Sequence, residues 1–196
     1  MNNSKIERGI LIYGASHDDI DEVFRNAAEQ TGRLIGEAGY PLISGGGKGG
    51  LMRCAIDGVL SAGGRAIGVL PQFMVERGWQ HPGLSKMVIA ADMHERKSTM
   101  AALAMGVIAF PGGCGTLEEL LEIITWRKLG LFAGNIVILN IDGFYDPLLE
   151  MLEHTIERRF MLPEHRRLWS VATTPEQAVA LVLAPADASP FPQTLS

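Results

Sequence analysis

The sequence predicts an α/β fold, a doubly wound and mostly parallel sheet of six or seven strands with helices on both faces. Short apolar runs alternate with segments whose apolar positions recur every three or four residues, the spacing of one helical face. The apolar runs are nearly continuous, as in strands buried on both sides of a parallel sheet. The 196 residues, 47% of them apolar and 20% charged, suit one globular domain.

Seven apolar runs are the predicted strands, at residues 9–13, 41–44, 65–70, 87–90, 107–110, 135–140 and 168–172. Helical spacing predicts helices at residues 20–38, 51–60, 93–106, 117–129 and 145–160, and a last helix that opens with a cap at Thr174 and Pro175. Asp18 or Asp19 is the expected N-cap of the first helix, and Gly39 its expected stop. Residues 71–86 have no period and are expected to form a functional or mobile loop. We expect one domain over residues 1–184 and a flexible tail over residues 185–196.

Charge and cysteine usage exclude several classes of protein. The formal net charge of −5 argues against a protein that grips a nucleic-acid backbone. Cys54 and Cys114 lack the spacing of a metal site and form no disulfide framework, which favours a reducing cytoplasm. The sequence shows no signal peptide and no apolar stretch of about 20 residues, so we expect neither secretion nor a membrane span.

Three segments follow predicted strands at the sheet edge where ligands bind in α/β proteins, namely residues 44–50 (SGGGKGG), 93–97 (MHERK) and 111–119 (PGGCGTLEE). Glycines let backbone N–H groups approach a ligand, and the following helix adds its positive end, so we expect phosphate binding there, aided by Thr116. These glycines have the alternative role of simply joining strand to helix. Neither loop fits GxGxxG or a P-loop, so NAD binding and ATP hydrolysis are not expected.

Charged side chains of these segments are the candidates for chemistry. Glu119 either stabilises the start of its helix or acts as a carboxylate beside a phosphate pocket, and Glu118 and Glu122 qualify equally by helix position. Arg96 either clamps a phosphate or forms a solvated face with Lys97. Ser98 stands where a zinc motif HExxH needs its second histidine, so no metal site is expected. Cys114 is not expected to be a nucleophile, and Trp79 and His81 are candidates for the mouth of the site.

The combination of GGGKGGLM, MHERK and PGGCGTLEEL followed by ITW resembles the LONELY GUY family, collinearly from Ile10 to about Leu152. Members of that family are Rossmann-like nucleoside 5′-monophosphate phosphoribohydrolases, which release a free base, cytokinins included, and ribose 5-phosphate. The resemblance implies that Arg96 and Glu119 are catalytic. It also implies a homodimer with sites near the subunit interface. For the reaction itself we expect no need for a cofactor or a metal. The expected nucleotide-binding residues are Lys97, Gly112, Gly113, Gly115, Thr116, Glu118 and Thr125 from the resemblance, with Gly45, Gly46 and Met93 from the segments at the sheet edge.

The sequence departs from the family pattern in two places. Its first strand ends in Tyr13-Gly14-Ala15-Ser16 rather than a Cys-Gly-Ser-Ser turn, and Glu76-Arg77-Gly78 replaces an arginine–glutamate pair. The preferred base therefore stays open. Three other functions remain as alternatives: a nucleotide or cofactor carrier similar to molybdenum-cofactor carriers, a single-stranded DNA-binding relative, and a lysine decarboxylase. The acidic charge disfavours the second, and the third lacks a pyridoxal phosphate constellation.

Overall fold

All strands of the computed structural model, which describes residues 8–186, join one seven-stranded sheet in the order β4-β3-β2-β1-β5-β6-β7. Every pair of neighbouring strands in it is parallel, which confirms the predicted fold class. The strand order turns back at β1, and β5 lies on its other side, which makes the gap between their carboxyl ends the expected binding crevice. The strands are β1 (Gly9–Tyr13), β2 (Leu42–Ser44), β3 (Ala66–Pro71), β4 (Lys86–Ala90), β5 (Ala104–Ala109), β6 (Ile136–Leu139) and β7 (Ser170–Ala172).

Helices cover both faces of the sheet and bury two apolar clusters. α1, α2 and α7 pack on one face, and α4 and α5 pack on the other. Successive side chains of a strand point to opposite faces, so Ile10 and Ile12 belong to the first cluster and Leu11 and Tyr13 to the second. The helices are α1 (Glu22–Glu37), α2 (Gly50–Ser61), α3 (Gln72–Glu76), α4 (Met93–Leu103), α5 (Cys114–Lys128), α6 (Asp146–Glu157) and α7 (Pro175–Leu183), with 3-10 turns at Ile141–Gly143 and Pro163–Leu168.

The helix ends agree with the sequence in some places and not in others. Gly39, with φ of +80°, ends the first helical segment, and Thr174 caps α7 by accepting a hydrogen bond from the backbone N–H of Gln177. The N-cap expected at Asp18 or Asp19 is wrong, because Asp21 occupies the N-cap position of α1. Asp18 accepts instead from the backbone N–H of Gly50, 2.9 Å away, and so ties two loops of the sheet edge together.

Other boundaries differ from the sequence prediction as well, among them the start of α5, which lies at Cys114 rather than at residue 117. The helix expected over residues 93–106 ends at Leu103, because Ala104 already pairs with Gly9 of β1 and the strand ladder replaces the helical turn. The segment 71–86, expected to be irregular, contains the short helix α3. The predicted tail starts just after α7, and from residue 187 onward it lies outside the described residues. None of the described helices is long and apolar enough to cross a membrane.

Candidate active site

A cavity of about 950 Å³ opens at the carboxyl edge of the sheet, and its lining includes residues that follow β1, β2 and β5. That volume suits a small-molecule ligand. Lining segments from α4 and from the chain between β3 and β4 complete its walls. Nine of the predicted site residues line it: Gly45, Met93, Arg96, Lys97, Gly113, Gly115, Thr116, Glu118 and Glu119.

Arg96 is buried in the cavity wall with its guanidinium fixed by backbone. It lies in the first turns of α4, whose N-cap Asp92 accepts hydrogen bonds from the backbone N–H groups of His94 and Glu95. The side chain is 8% exposed, and its Nε donates to the carbonyl oxygen of Val69 at 3.1 Å. A Cβ atom on Gly45 would lie 1.8 Å from Arg96 Nη2, so only glycine leaves room for the guanidinium in this position.

Glu119 faces Arg96 from the first turns of α5. Its Oε1 lies 3.7 Å from Arg96 Nη1, and its side chain is 15% exposed. Burial raises the pKa of Glu119 from 4.5 to about 7, and the opposing attraction of Arg96 does not offset that rise. Glu119 is thus a carboxyl group that exchanges its proton close to neutral pH, which suits a general base or a stabiliser of positive charge.

Lys97 lies beside this pair and is held by two other carboxylates of α5. Its Nζ forms ion pairs with Glu118 and with Glu122, the second at 3.2 Å. The hydrogen bond that Lys97 donates to Glu118 raises the pKa of Lys97 above its ordinary value, so the ammonium stays charged. Because Lys97 and Glu118 both line the cavity, they form a polar wall next to Glu119.

The start of α5 has the features of an anion site. Gly113 occupies the N-cap position and has no side chain to satisfy the first N–H groups of the helix. Thr116, 5% exposed, places its side chain against Gly112, where a Cβ atom would lie 2.2 Å from Thr116 Oγ1. Gly113, Gly115 and Thr116 all line the cavity, so the positive end of this 15-residue helix lies at the cavity wall.

Sequence reasoning noted residues 13–16 only as a departure from the family pattern and did not place the loop after β1 in the site, whereas residues 14–18 of this loop line the cavity. The backbone N–H of Leu51 donates to the carbonyl oxygen of Ala15 at 2.9 Å and holds this loop against the start of α2. The loop is not glycine-rich and has no lysine or arginine, but it follows the central strand of the sheet, and that position was a usable signal. Below it, burial and the negative charge of Glu119 keep the pKa of Tyr13 well above its usual range, so the phenol is neutral.

Three predicted binding residues do not line the cavity. Gly46 has φ of +66° and faces the side chain of Leu70, and Gly112 packs against Thr116. Thr125 lies on the exposed side of α5, where its hydroxyl donates to the carbonyl oxygen of Leu121. Of the two candidates for the mouth, Trp79 lines the cavity, whereas the buried His81 lies outside the lining and pairs with Asp57.

The cavity also contains features that the sequence did not single out. One part of its lining is apolar and consists of Met52, Leu70, Met74, Trp79 and Met93. Of these five, the sequence analysis placed only Trp79 and Met93 in the site. Lys48 adds a cation from the glycine-rich loop. Within residues 8–186, no group of three histidine, cysteine or acidic side chains is placed to hold a metal ion. The site therefore combines a helix start of a kind that suits an anion, a buried acid–guanidinium pair and an apolar wall.

Curated proteins similar to this chain are phosphoribohydrolases by name. A cytokinin riboside 5′-monophosphate phosphoribohydrolase of Oryza sativa subsp. japonica is 37% identical over 172 residues, which cover 88% of this chain and 71% of the relative. One of the same name from Rhodococcoides fascians is 38% identical over 159 residues and covers 81% of this chain and 80% of the relative. One from Arabidopsis thaliana is 35% identical over 179 residues, 91% of this chain and 83% of the relative.

Solved structures with the same fold include proteins of another kind. A molybdenum cofactor binding protein of Rippkaea orientalis superposes with a TM-score of 0.70 at 22% identity, over 90% of this chain and 96% of that one. This likeness concerns the fold alone. The sequence model of the family described as "possible lysine decarboxylase" matches residues 52–182. With that match and relatives at 35–38% identity over most of its length, the chain belongs to the LONELY GUY family, which that description covers.

Proposed function

We propose that the protein hydrolyses the N-glycosidic bond of a nucleoside 5′-monophosphate to a free base and ribose 5-phosphate. The oxygen of a water molecule bonds to the anomeric carbon of the ribose. The bond from that carbon to the base nitrogen breaks, and its electron pair leaves with the base, which takes up a proton. The names of the relatives support this reaction, since all are phosphoribohydrolases of nucleoside monophosphates.

The observation that carries the proposal is the pair formed by Glu119 and Arg96 in the cavity wall. The transition state of glycosidic cleavage develops positive charge at the anomeric carbon. A carboxylate next to that carbon stabilises the charge, or orients and deprotonates the attacking water. Glu119, with a pKa of about 7, is suited to that role. Arg96, fixed 3.7 Å away, keeps part of the Glu119 population ionised and adds positive charge for the phosphate or the leaving base.

The 5′-phosphate is proposed to bind at the amino end of α5. There the amides of residues 113–116 have no acceptor within the helix, and Thr116 adds a hydroxyl group. The phosphate does not react, so its binding energy holds the sugar in place beside Glu119. An unphosphorylated nucleoside should therefore be a poor substrate.

The substrate class is proposed to be adenine nucleotides, either AMP or a cytokinin riboside monophosphate with an isoprenylated adenine. The relatives are named for cytokinin riboside 5′-monophosphates. The apolar lining by Met52, Met74 and Trp79 offers a surface for a purine and for an apolar group on it.

The test is a panel of nucleoside monophosphates, read by the free base and ribose 5-phosphate released. We expect turnover of AMP or its isoprenylated analogue, poor turnover of adenosine, and near-complete loss of turnover in Glu119→Gln and Arg96→Ala with the fold intact. Glu150→Gln, on an exposed position of α6, is the matched control. Tight nucleotide binding without any ribose 5-phosphate would support the carrier function instead. Near-full turnover in Glu119→Gln would overturn the assignment of that residue.

We also propose that the protein is a homodimer of the cytoplasm and needs no cofactor. Exposed apolar side chains on and just after α5, among them Leu129 at 51% and Leu131 at 70% exposure, support a second copy on this side. Thr125 lies on the same helix, so a dimer there would bring it near an interface. Both cysteines are free thiols, in keeping with a reducing compartment. Light scattering of the purified protein measures the oligomeric state.

A further inference from the structure

The chain between β3 and β4 forms a flap, residues 72–81, that makes one wall of the cavity. It consists of α3 and the turn that follows. The guanidinium of Arg77 lies 5.6 Å from the ring centroid of Phe73 and 5.1 Å from that of Trp79, so the three side chains form one stack. Met74 and Trp79 line the cavity from this flap.

The end of the flap is attached to the glycine-rich loop by backbone contacts. The N–H of Lys48 donates to the carbonyl oxygen of Trp79 at 2.9 Å, and the N–H of His81 donates to that of Gly46 at 2.8 Å. Gly47 and Gln80 form an isolated antiparallel bridge between these contacts. The position of Trp79 over the cavity therefore depends on how firmly this end is held.

His81 adds a side-chain anchor at the same place. Its ring is 7% exposed, with Nδ1 3.0 Å from the backbone N of Gly83 and Nε2 3.0 Å from Asp57 Oδ1. Because Gly83 donates to Nδ1, the ring proton lies on Nε2 and is donated to Asp57. Asp57 belongs to α2, the helix that begins where the glycine-rich loop ends. The pair thus joins the flap to the element that carries the loop.

We propose that Asp57 and His81 are a positioning pair that fixes the flap over the cavity and so sets the affinity for the base end of the nucleotide. The proposal rests on the proposed function for its kinetic readout. Neither residue lines the cavity, so both act through Trp79 and Met74. The Asp57 side chain is 52% exposed and contributes little to the core, which separates its role from general stability.

The kinetic test compares Asp57→Ala with Asp57→Asn, which keeps an oxygen that accepts from His81 Nε2. The matched control is Glu29→Ala, an exposed acid on α1 outside the cavity lining. We expect Asp57→Ala to raise KM for AMP about tenfold with kcat within about twofold, the size expected when a hydrogen bond to a charged group is lost. Asp57→Asn and Glu29→Ala should stay close to wild type. An unchanged KM in Asp57→Ala, or a fall in kcat alone, would overturn the proposal.

A second readout requires neither turnover nor ligand. Arg77 is exposed, and trypsin cleaves after arginine, so cleavage at this bond reports opening of the flap. We expect faster cleavage after Arg77 in Asp57→Ala than in Asp57→Asn and Glu29→Ala, with unchanged melting temperatures. Equal cleavage rates would refute the positioning role. If wild type released no base, the proposed function would fail, and this cleavage rate would still decide the role of the pair.

Discussion

Arg96 and Glu119 lie 3.7 Å apart in the wall of one cavity, each near the start of a different helix. Two opposing effects meet at the carboxyl group of Glu119. Burial disfavours its charged form, and the guanidinium favours it. Burial is the larger effect, so the pKa of Glu119 rises to about 7. At neutral pH the carboxyl group of Glu119 is therefore only partly ionised, so it and the guanidinium do not form a fully ionised salt bridge.

The same fold carries different functions, so the activity must be argued from this pair and its surroundings. The molybdenum cofactor binding protein shares the architecture at 22% identity, which leaves most side chains different. Under the proposed function, the buried acid, the guanidinium and the amino end of α5 are the groups that would supply the chemistry that the fold by itself does not.

The pH dependence of turnover is the first prediction. If Glu119 acts as a carboxylate, kcat/KM for AMP decreases as the pH falls below about 7, which is the pKa of Glu119 in the free enzyme. The decline approaches about tenfold per pH unit on the acid side. Initial rates of base release between pH 5 and 9 measure it. A decline on the alkaline side of 7 instead would mean that Glu119 works as an acid.

The second prediction concerns the charge of Arg96. Arg96 lowers the pKa of Glu119, so its removal in Arg96→Ala raises that pKa further above 7. We expect the small residual activity of this variant to have its acid limb, the pH range in which activity declines with falling pH, at higher pH than that of wild type. Arg96→Lys, which keeps the charge, should leave the limb near its original place. Identical limbs in Arg96→Ala and wild type would contradict electrostatic coupling between the two side chains.

The third prediction links the same carboxyl group to stability. Its folded pKa of about 7 exceeds its ordinary value of 4.5, so the folded protein binds this proton more tightly than the unfolded chain. The resulting stabilisation is complete below about pH 4.5 and is lost as the pH rises through 7. Glu119→Gln has no such proton. From pH 5 to pH 8, the free energy of unfolding of wild type should fall relative to Glu119→Gln by about 2 to 3 kcal/mol.

Denaturant titrations of both proteins at the two pH values measure that difference, in which the other titrating groups cancel to first order. A constant difference across the range would show that Glu119 has an ordinary pKa. The activity profile would then need another titrating group to explain an inflection near neutral pH.

The sequence predicted the sheet and most of the cavity because both follow local patterns. Continuous apolar runs marked the strands, and the segments after β2 and β5 and at the start of α4 carried glycines and charges at the edge where ligands bind. Thr125 is six residues beyond Glu119, about 120° around an α-helix from it, and its exposed position follows from that spacing.

Other parts of the site depend on contacts between distant segments, which no local pattern encodes. The local sequence predicts Asp18 as a helix cap. In the structure it accepts a hydrogen bond from the backbone N–H of Gly50, 32 positions away, and so links two loops. The apolar residues of the flap have no period, so their place over the cavity follows only from its attachment to the glycine-rich loop. Likewise, α4 ends at Leu103 although the helical pattern continues, because the next residue pairs with β1 in the sheet.

The last prediction uses the contact between Gly45 and Arg96. In Gly45→Ala, the new methyl group would lie 1.8 Å from Arg96 Nη2, so the guanidinium has to leave the position that it holds beside Glu119. The end of an arginine side chain is flexible, and the fold should survive with a melting temperature close to that of wild type. Turnover should fall by about a hundredfold, because a small misplacement of a charged group near the reacting atoms is costly.

Gly47→Ala is the matched comparison, since it adds a methyl group to the same loop and the same cavity. Among residues 8–186, its methyl group would meet only the Cε of Met52, at 3.2 Å, and that side chain can shift. We therefore expect a much smaller loss of turnover in Gly47→Ala. Equal losses in the two variants would mean that crowding of the cavity, rather than displacement of Arg96, explains the effect. Full activity in Gly45→Ala would show that the guanidinium works from more than one position.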